Sequence, residues 1–460
     1  MIVQTTLSHT TGEYQNLDAR HHIHAFLDQK QLNAEGARVM VRGEGLHLWD
    51  SDGKRYLDGM AGLWCTYLGY GRQDLNAAAF KQMQELVYYN LFFYTTHPRV
   101  VELSELLFDI LPKQYSHAIY TNSGSESNEL LIRTVRRYWQ IMGKPEKKIL
   151  IGRWNGYHGS TLGTAALGGM KFMQDMGGML PDMAHINEPY WYAHGGDLSS
   201  EAFGLQAAQE LEQKILELGA DKVAAFVGEP FQGAGGMIFP PANYWAEIQR
   251  ICRKYDVLLC ADEVISGFGR TGEWFGCQHF GFEPDTLTIA KGLTSGYIPM
   301  GGLVLSRKIG ETLVEKGGVF AHGSTYGGHP VAAAVAIANV RALRDEGWVE
   351  KVKTDTGPYL QQLLQEHFTD HPLIGQIQGH GMVGAIQFAQ DKTTRQRWAN
   401  ENDIAWHCRG VGFEEGVIIR STLGRMIMAP ALVATRAELE ELVEKTRRAV
   451  DRTAQDLKLL

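Results

Sequence analysis

Short apolar runs alternate with longer amphipathic stretches through the middle of the chain. Residues 117–121, 148–152, 223–228, 257–261 and 286–290 have strand length, and several carry no polar alternation. That is the pattern of strands buried on both faces. Between them, residues 201–218 and 244–255 place apolar side chains at helical spacing. The alternation runs from about residue 75 to residue 330 and predicts a largely parallel α/β sheet. Ligands of such sheets bind at the carboxyl ends of the strands. Residues 1–35 are polar and mixed and read as an arm. Residues 39–42 and 46–58 read as two strands joined by turns, with Asp52-Gly53 as a hairpin signal. Beyond residue 330 the pattern predicts a helix over 331–345, a strand over 379–388 and a long charged helix over 436–457, a smaller α+β unit. No internal repeat or low-complexity linker interrupts this order.

The 460 residues, 44% of them hydrophobic and 21% charged, suffice for a sizeable core; length alone suggests more than one domain. A formal net charge of -8 argues against a nucleic-acid binder, whose footprint is basic. No apolar run reaches the roughly 18 residues of a membrane span. The N-terminal stretch Met1-Ile-Val-Gln-Thr-Thr-Leu-Ser-His-Thr10 lacks a basic region followed by an apolar one, so no secretory signal is expected. Cys65, Cys252, Cys260, Cys277 and Cys408 are scattered and form no Cys-x-x-Cys pair, which supports neither a disulfide framework nor a zinc ribbon. A reduced cytoplasm is the expected setting.

Against this background one residue stands out. Lys291 is the only charged residue in the run 286–306 and follows a candidate buried strand. Burial disfavours an ammonium and so makes its amine a nucleophile suited to Schiff-base chemistry. A surface lysine in a strand-to-loop turn is the alternative, since lysine is mostly exposed. Asp262 weighs against it, because it ends another apolar strand, 257–261. A carboxylate and an amine on two parallel strand ends can face one planar cofactor, as pyridoxal phosphate requires. Upstream, Tyr120-Thr-Asn-Ser-Gly-Ser-Glu-Ser-Asn-Glu-Leu130 follows a candidate strand and opens a helix. Ser123, Gly124 and Ser125 there would bring backbone N–H groups, hydroxyls and a helix dipole to one point, a phosphate cradle. An ordinary serine N-cap with a downstream glutamate is the competing reading. Tyr157 or His158, in Trp154-Asn-Gly-Tyr-His-Gly159, is placed to stack on a flat ring. Val264, two residues past Asp262, would share its strand face and pack on the ring's other side.

Together these segments resemble the class III aminotransferases, pyridoxal-phosphate enzymes of fold type I. The resemblance rests on Asn122-Ser-Gly-Ser-Glu126, Tyr157-His-Gly159, Glu229-Pro-Phe-Gln-Gly-Ala-Gly-Gly236, Asp262-Glu-Val-Ile-Ser-Gly-Phe-Gly-Arg-Thr-Gly272, Lys291-Gly292 and Thr325-Tyr-Gly-Gly-His-Pro330. It covers almost the whole chain. Within that class, Trp64 in Ala61-Gly-Leu-Trp-Cys65, the aromatic run Tyr88–Tyr94 and Arg420 in Val417-Ile-Ile-Arg420 are similar to the pyruvate-dependent ω-transaminases acting on amines, putrescine or taurine. His380, in Gln378-Gly-His-Gly-Met382, departs from the family pattern, which usually has a small apolar residue there.

The resemblance implies a large cofactor-binding domain over residues 76–330 with a mostly parallel seven-stranded sheet flanked by helices. A smaller α+β domain would come from residues 1–75, which include the arm, and 331–460. It implies transfer of an amino group from a primary amine or ω-amino acid to pyruvate, by a ping-pong mechanism through a Schiff base on Lys291. Lys291 would also shuttle the proton, and Asp262 would keep the cofactor's ring nitrogen protonated. Gly124 and Ser125, beside Ser123, would hold the phosphate, joined by Thr325 from a neighbouring subunit. Tyr157 would stack on the ring near His158 and Val264, and Glu229 would order the hydroxyl side. Trp64, Phe92, Phe93 and Tyr157 would line the substrate pocket, and Arg420 would bind the acceptor's carboxylate. A homodimer, or a dimer of dimers, with shared sites follows.

Other readings stay open at this stage. A 2-oxoglutarate-dependent transaminase, or a decarboxylase or racemase, would use the same fold. A non-catalytic protein retaining the fold is disfavoured by the intact Lys291 and Asp262. Gly267-Phe-Gly-Arg-Thr-Gly272 spells a dinucleotide-binding motif, but residues 262–266 separate it from its strand and no apolar helix start follows. His21, His22 and His24 lie in the polar arm with no evident acidic or cysteine partner, so no metal is expected.

Overall fold

The computed structural model describes residues 7–459; residues 1–6 of the N-terminal stretch read above, and Leu460, lie outside it. Seven strands form the central sheet: β1 (Tyr115–Thr121), β2 (Ile149–Arg153), β3 (Met183–Ile186), β4 (Val223–Gly228), β5 (Leu258–Asp262), β6 (Thr286–Ile289) and β7 (Gly301–Ser306). Their order is β1-β7-β6-β5-β4-β2-β3. Strands β2 to β6 pair in parallel, and β7 runs antiparallel to both its neighbours, β1 and β6. Every residue of β4, β5 and β6 is buried. Fully burying each Val, Leu or Ile contributes roughly 1.5–3 kcal/mol, which is why these strands sit at the centre.

Two of the seven strands lie outside the strand-length runs read from the sequence. β3 is a short edge strand, half-exposed at Met183 and Ala184. β7 opens on Gly301-Gly302, which reads as loop, yet all its residues are buried between β1 and β6. The stretch 379–388 is two strands rather than one, Ile374–His380 and Val383–Phe388, folded back at Gly381 with φ +56. Met382 N–H donates to the Arg270 carbonyl there, so a tertiary contact sets the turn.

Residues 39–58 form three antiparallel strands, Met40–Glu44, His47–Asp50 and Arg55–Asp58, where two were expected. The last of them pairs in parallel with Val417–Ile418, so the two ends of the chain share a sheet. A third sheet joins Ile374–His380, Val383–Phe388, Arg425–Met428 and Arg420–Thr422. The helix Pro330–Asp345 packs on the helices Gln73–Glu85 and Pro98–Ile110. One apolar cluster includes Leu57, Phe226, Leu287, Val340, Ile386 and Leu439, linking all three sheets. The arm contains two short helices, Thr11–His21 and Gln29–Glu35, neither with a buried residue. Among the described residues, no helix is long and apolar enough to cross a membrane.

Candidate active site

Asp262 is the last residue of β5, and Lys291 follows β6 as the first residue of a short 3-10 turn. The two strands are parallel neighbours, with Asp262 in register with Thr288. The carboxylate and the amine therefore stand at the same, carboxyl end of the sheet. Both line a cavity of about 320 Å3, within the range of small-molecule sites, about 300–1,000 Å3. Lys291 has φ +39, in the left-handed region that side chains avoid. Backbone strain of this kind costs on the order of 1–3 kcal/mol and persists where surrounding structure imposes it. Its amine has no hydrogen-bond or ion-pair partner among the described residues. Burial pushes the Lys291 amine down from its usual range, and Arg420 adds to this; Cys65, Asp262 and Glu229 oppose it.

Asp262 is buried and fully engaged on one side. Its Oδ2 accepts from His158 Nδ1 at 2.8 Å and from Asn128 Nδ2 at 2.7 Å, and its Oδ1 accepts from Val264 N–H at 3.1 Å. His158 thus turns a ring nitrogen on the carboxylate. Val264 lines the cavity, but the chain leaves the strand after Asp262, so a turn rather than strand alternation places it. Glu229, at the end of β4, accepts from Tyr157 N–H at 3.1 Å and Gly233 N–H at 2.9 Å. Burial pushes its carboxyl up, Asp262 adds to this, and His158, Tyr157 N–H and Arg153 oppose it.

The third wall is the N-terminus of the helix Gly124–Ile141. Ser123 is its N-cap, accepting from Glu126 N–H. The capping reading of this segment therefore holds for the Ser123 hydroxyl. The N–H groups of Gly124 and Ser125 have no partner among the described residues and open on the cavity, as first-turn donors do. A Cβ on Gly124 would stand 3.1 Å from Val264 Cγ2, so glycine lets the helix end approach the turn after β5. Ser125 Oγ accepts from Ser160 N–H at 3.1 Å, tying the helix to the turn that carries Tyr157 and His158.

One cavity therefore joins nine expected residues: Ser123, Gly124, Ser125, Tyr157, His158, Glu229, Asp262, Val264 and Lys291. Free N–H groups suit a phosphate, the carboxylate suits a heteroaromatic nitrogen, and the amine suits a carbonyl carbon. Nearby, Arg420 lies over the ring of buried Trp64, 4.8 Å from its centroid, and donates to the Ala234 carbonyl at 3.4 Å. Phe92, Phe93 and Thr325 are elsewhere: Phe92 lines a separate crevice of about 920 Å3, and Phe93 is 85% exposed.

Cys65 and Asn128 also line the cavity, though neither was among the residues expected there. Asn128 lies one turn beyond Gly124, so helical spacing from the cradle is the cue that points to it. The Gly267–Gly272 segment is a run of turns between β5 and the short helix Gly276–His279, not a strand-to-helix phosphate loop. In the arm, an acidic partner does converge on the histidines. Asp18 sits 2.9 Å from His22 Nδ1 and 2.7 Å from His24 Nε2, because helix spacing and the bend after His21 bring them together. His380, which does not line the cavity, stacks on His279 with ring centroids 3.7 Å apart.

Residues 30–450 match the family model described as aminotransferase class-III. The chain is 52% identical over 445 residues to a putrescine–pyruvate aminotransferase of Pseudomonas aeruginosa, covering 96% of this chain and 97% of that protein. It is 38% identical to a diaminobutyrate–2-oxoglutarate transaminase of Halomonas elongata, with 91% of each chain covered. Its fold matches a crystal structure of an ω-transaminase from Pseudomonas jessenii in complex with PMP, with a TM-score of 0.94, 38% identity and coverage of 96% and 99% of the two chains. An (S)-enantioselective ω-transaminase from Thermomicrobium roseum matches with a TM-score of 0.93 at 39% identity, covering 97% of this chain and all of that one.

Proposed function

The chain belongs to the class III aminotransferases, and on that premise we propose that it transfers the amino group of a primary amine, with diamines such as putrescine among its donors, to pyruvate. Class III enzymes work with pyridoxal 5′-phosphate, which when bound supplies an electron sink for the carbon that carries the migrating amino group. The site's chemistry fits this group at three points. Gly124 and Ser125 would hold the phosphate with their free N–H groups. Asp262 would hold a proton on the ring nitrogen. Lys291 would bind the carbonyl carbon and, once displaced by the donor amine, carry the proton to and from the reacting carbon. A lowered amine pKa serves both roles, since the neutral amine is the nucleophile and the base. Tyr157 and Val264 would confine the ring from its two faces, and Glu229 would order its hydroxyl side.

The observation that carries the acceptor assignment is Arg420. It is a partly buried guanidinium with no carboxylate partner among the described residues, close enough for its charge to act on Lys291. One such cation matches the single carboxylate of pyruvate. Trp64, stacked beneath it, would offer an apolar face to an amine tail once the arginine turns aside. A second copy of the chain belongs to this reading: Thr325, Phe92 and Phe93, which lie away from their own cavity, would complete the partner's. The test is a panel of donors with pyruvate and with 2-oxoglutarate, scored by alanine or glutamate formed. Putrescine with pyruvate should be far the better pair; glutamate formed at an equal rate would sink the acceptor assignment.

A further inference from the structure

We propose that Asn128 is a positioning residue for Asp262, braced by Thr288, and that it couples the two ends of the cofactor site. The proposal rests on the reading of Asp262 as the partner of the cofactor's ring nitrogen.

Asn128 is buried and fully hydrogen-bonded. Its Nδ2 donates to Asp262 Oδ2 at 2.7 Å and to the His158 carbonyl at 2.8 Å. Its Oδ1 accepts from Thr288 Oγ1 at 2.8 Å. This surrounding leaves the amide one orientation. The reverse would set its oxygen against a carboxylate and a carbonyl, both acceptors. The Thr288 hydroxyl, able to donate or accept, completes the set by donating to Oδ1 and braces the amide from the other side. Thr288 is itself placed by β-sheet pairing, as the register partner of Asp262.

A carboxylate oxygen has about two lone-pair sites. Asn128 and His158 occupy both on Oδ2, whereas Oδ1 receives only the Val264 N–H. The free site therefore lies on Oδ1, which is assigned to the ring nitrogen. Asn128 decides this as much as His158 does, because one donor alone would leave Oδ2 with a free site too.

The network also sets a distance. Gly124 and Ser125 are in the first turn of the helix Gly124–Ile141, and Asn128 is in its second. The same rigid element thus presents the phosphate donors and grips the carboxylate across the cavity. A change at Asn128 releases Asp262 from the helix that holds the phosphate.

The test uses the holoenzyme with Asn128→Leu, which keeps the branched shape without the amide, and Thr288→Val, which replaces the hydroxyl with a methyl group. Two quantities are read: the dissociation constant of pyridoxal phosphate, and the pH midpoint of the bound cofactor's visible absorption band. A merely structural asparagine would not move that midpoint. Losing one charge-assisted hydrogen bond predicts about ten- to hundred-fold weaker binding in Asn128→Leu and a displaced midpoint. Thr288→Val should shift both in the same direction by a smaller factor. If a folded Asn128→Leu, or Thr288→Val where the former does not fold, keeps both values at wild type, the inference is overturned. Asp262→Asn serves as the reference. If it too changes neither value, the reading of Asp262 itself fails; if it changes both while the Asn128 and Thr288 variants do not, only the coupling proposed here fails.

Discussion

Replacing Arg420 with alanine should separate the two halves of the reaction. The guanidinium has only weak internal partners: one 3.4 Å hydrogen bond to the Ala234 carbonyl and the face of Trp64. A keto-acid carboxylate would give it two charge-assisted bonds at about 1.5–3 kcal/mol each. Against these stand the stacking on Trp64, worth about 0.5–2 kcal/mol, and the weak bond to Ala234, both lost when the arginine turns to the acid. The difference is about 2–4 kcal/mol, or roughly 30- to 1,000-fold at 1.36 kcal/mol per decade. The two halves can be followed separately by stopped-flow absorbance of the cofactor. In Arg420→Ala the pyruvate half should lose that factor in kcat/KM, while the putrescine half changes less than about threefold, since no carboxylate is then bound. Arg420→Lys should fall between, because a point charge replaces a fork. Equal losses in the two halves would refute the reasoning and make Arg420 a structural residue.

Lys291→Ala should abolish turnover while the protein still retains the cofactor through the Gly124 and Ser125 N–H groups; dialysis followed by absorbance would expose near-native turnover or complete loss of binding. Gly159→Ala should lower the melting temperature and weaken cofactor binding by about tenfold or more. With φ +136, its new Cβ would stand 2.6 Å from both Ser125 Oγ and Thr164 Oγ1, pushing on the phosphate cradle, and the backbone strain alone is about 1–3 kcal/mol. Burial and neighbouring His380 lower His279 from the ordinary 6.5 to about 4. The unfolded chain then binds the extra proton between these values, so this contribution to stability is present above about pH 6.5 and is lost as the pH falls through about 4. His279→Phe, which keeps an aromatic ring in the stack, should flatten the loss of urea stability between pH 7 and pH 4.5; parallel curves for mutant and wild type would contradict this.

Local pattern carried much of the architecture. Unbroken apolar runs mark β4 and β5 because strands covered on both faces have no solvent side to fill with polar residues. The same property made Asp262 and Lys291 conspicuous, since a charge ending such a run needs a reason. Backbone donors at Gly124 and Ser125 were legible because any helix leaves its first N–H groups open. Other features have no local signature. β7 begins with two glycines ahead of Leu303-Val-Leu305, and its pairing with both β1 and β6 is what extends the strand through them. The turn at Gly381 is held by the Arg270 carbonyl, far away in sequence. Asp18 meets His22 and His24 only once the helix end bends. Asn128 acquires its partners from Thr288, His158 and Asp262, on three other segments; helical spacing from Gly124 marks its face, but not the groups it meets. Sequence alone marked the central strands, the lysine and aspartate at their ends and the open helix N-terminus, because burial period and helix ends are local. Tertiary structure decided which polar groups meet, because hydrogen bonding across the cavity depends on the register of strands and the approach of a helix that no local run encodes.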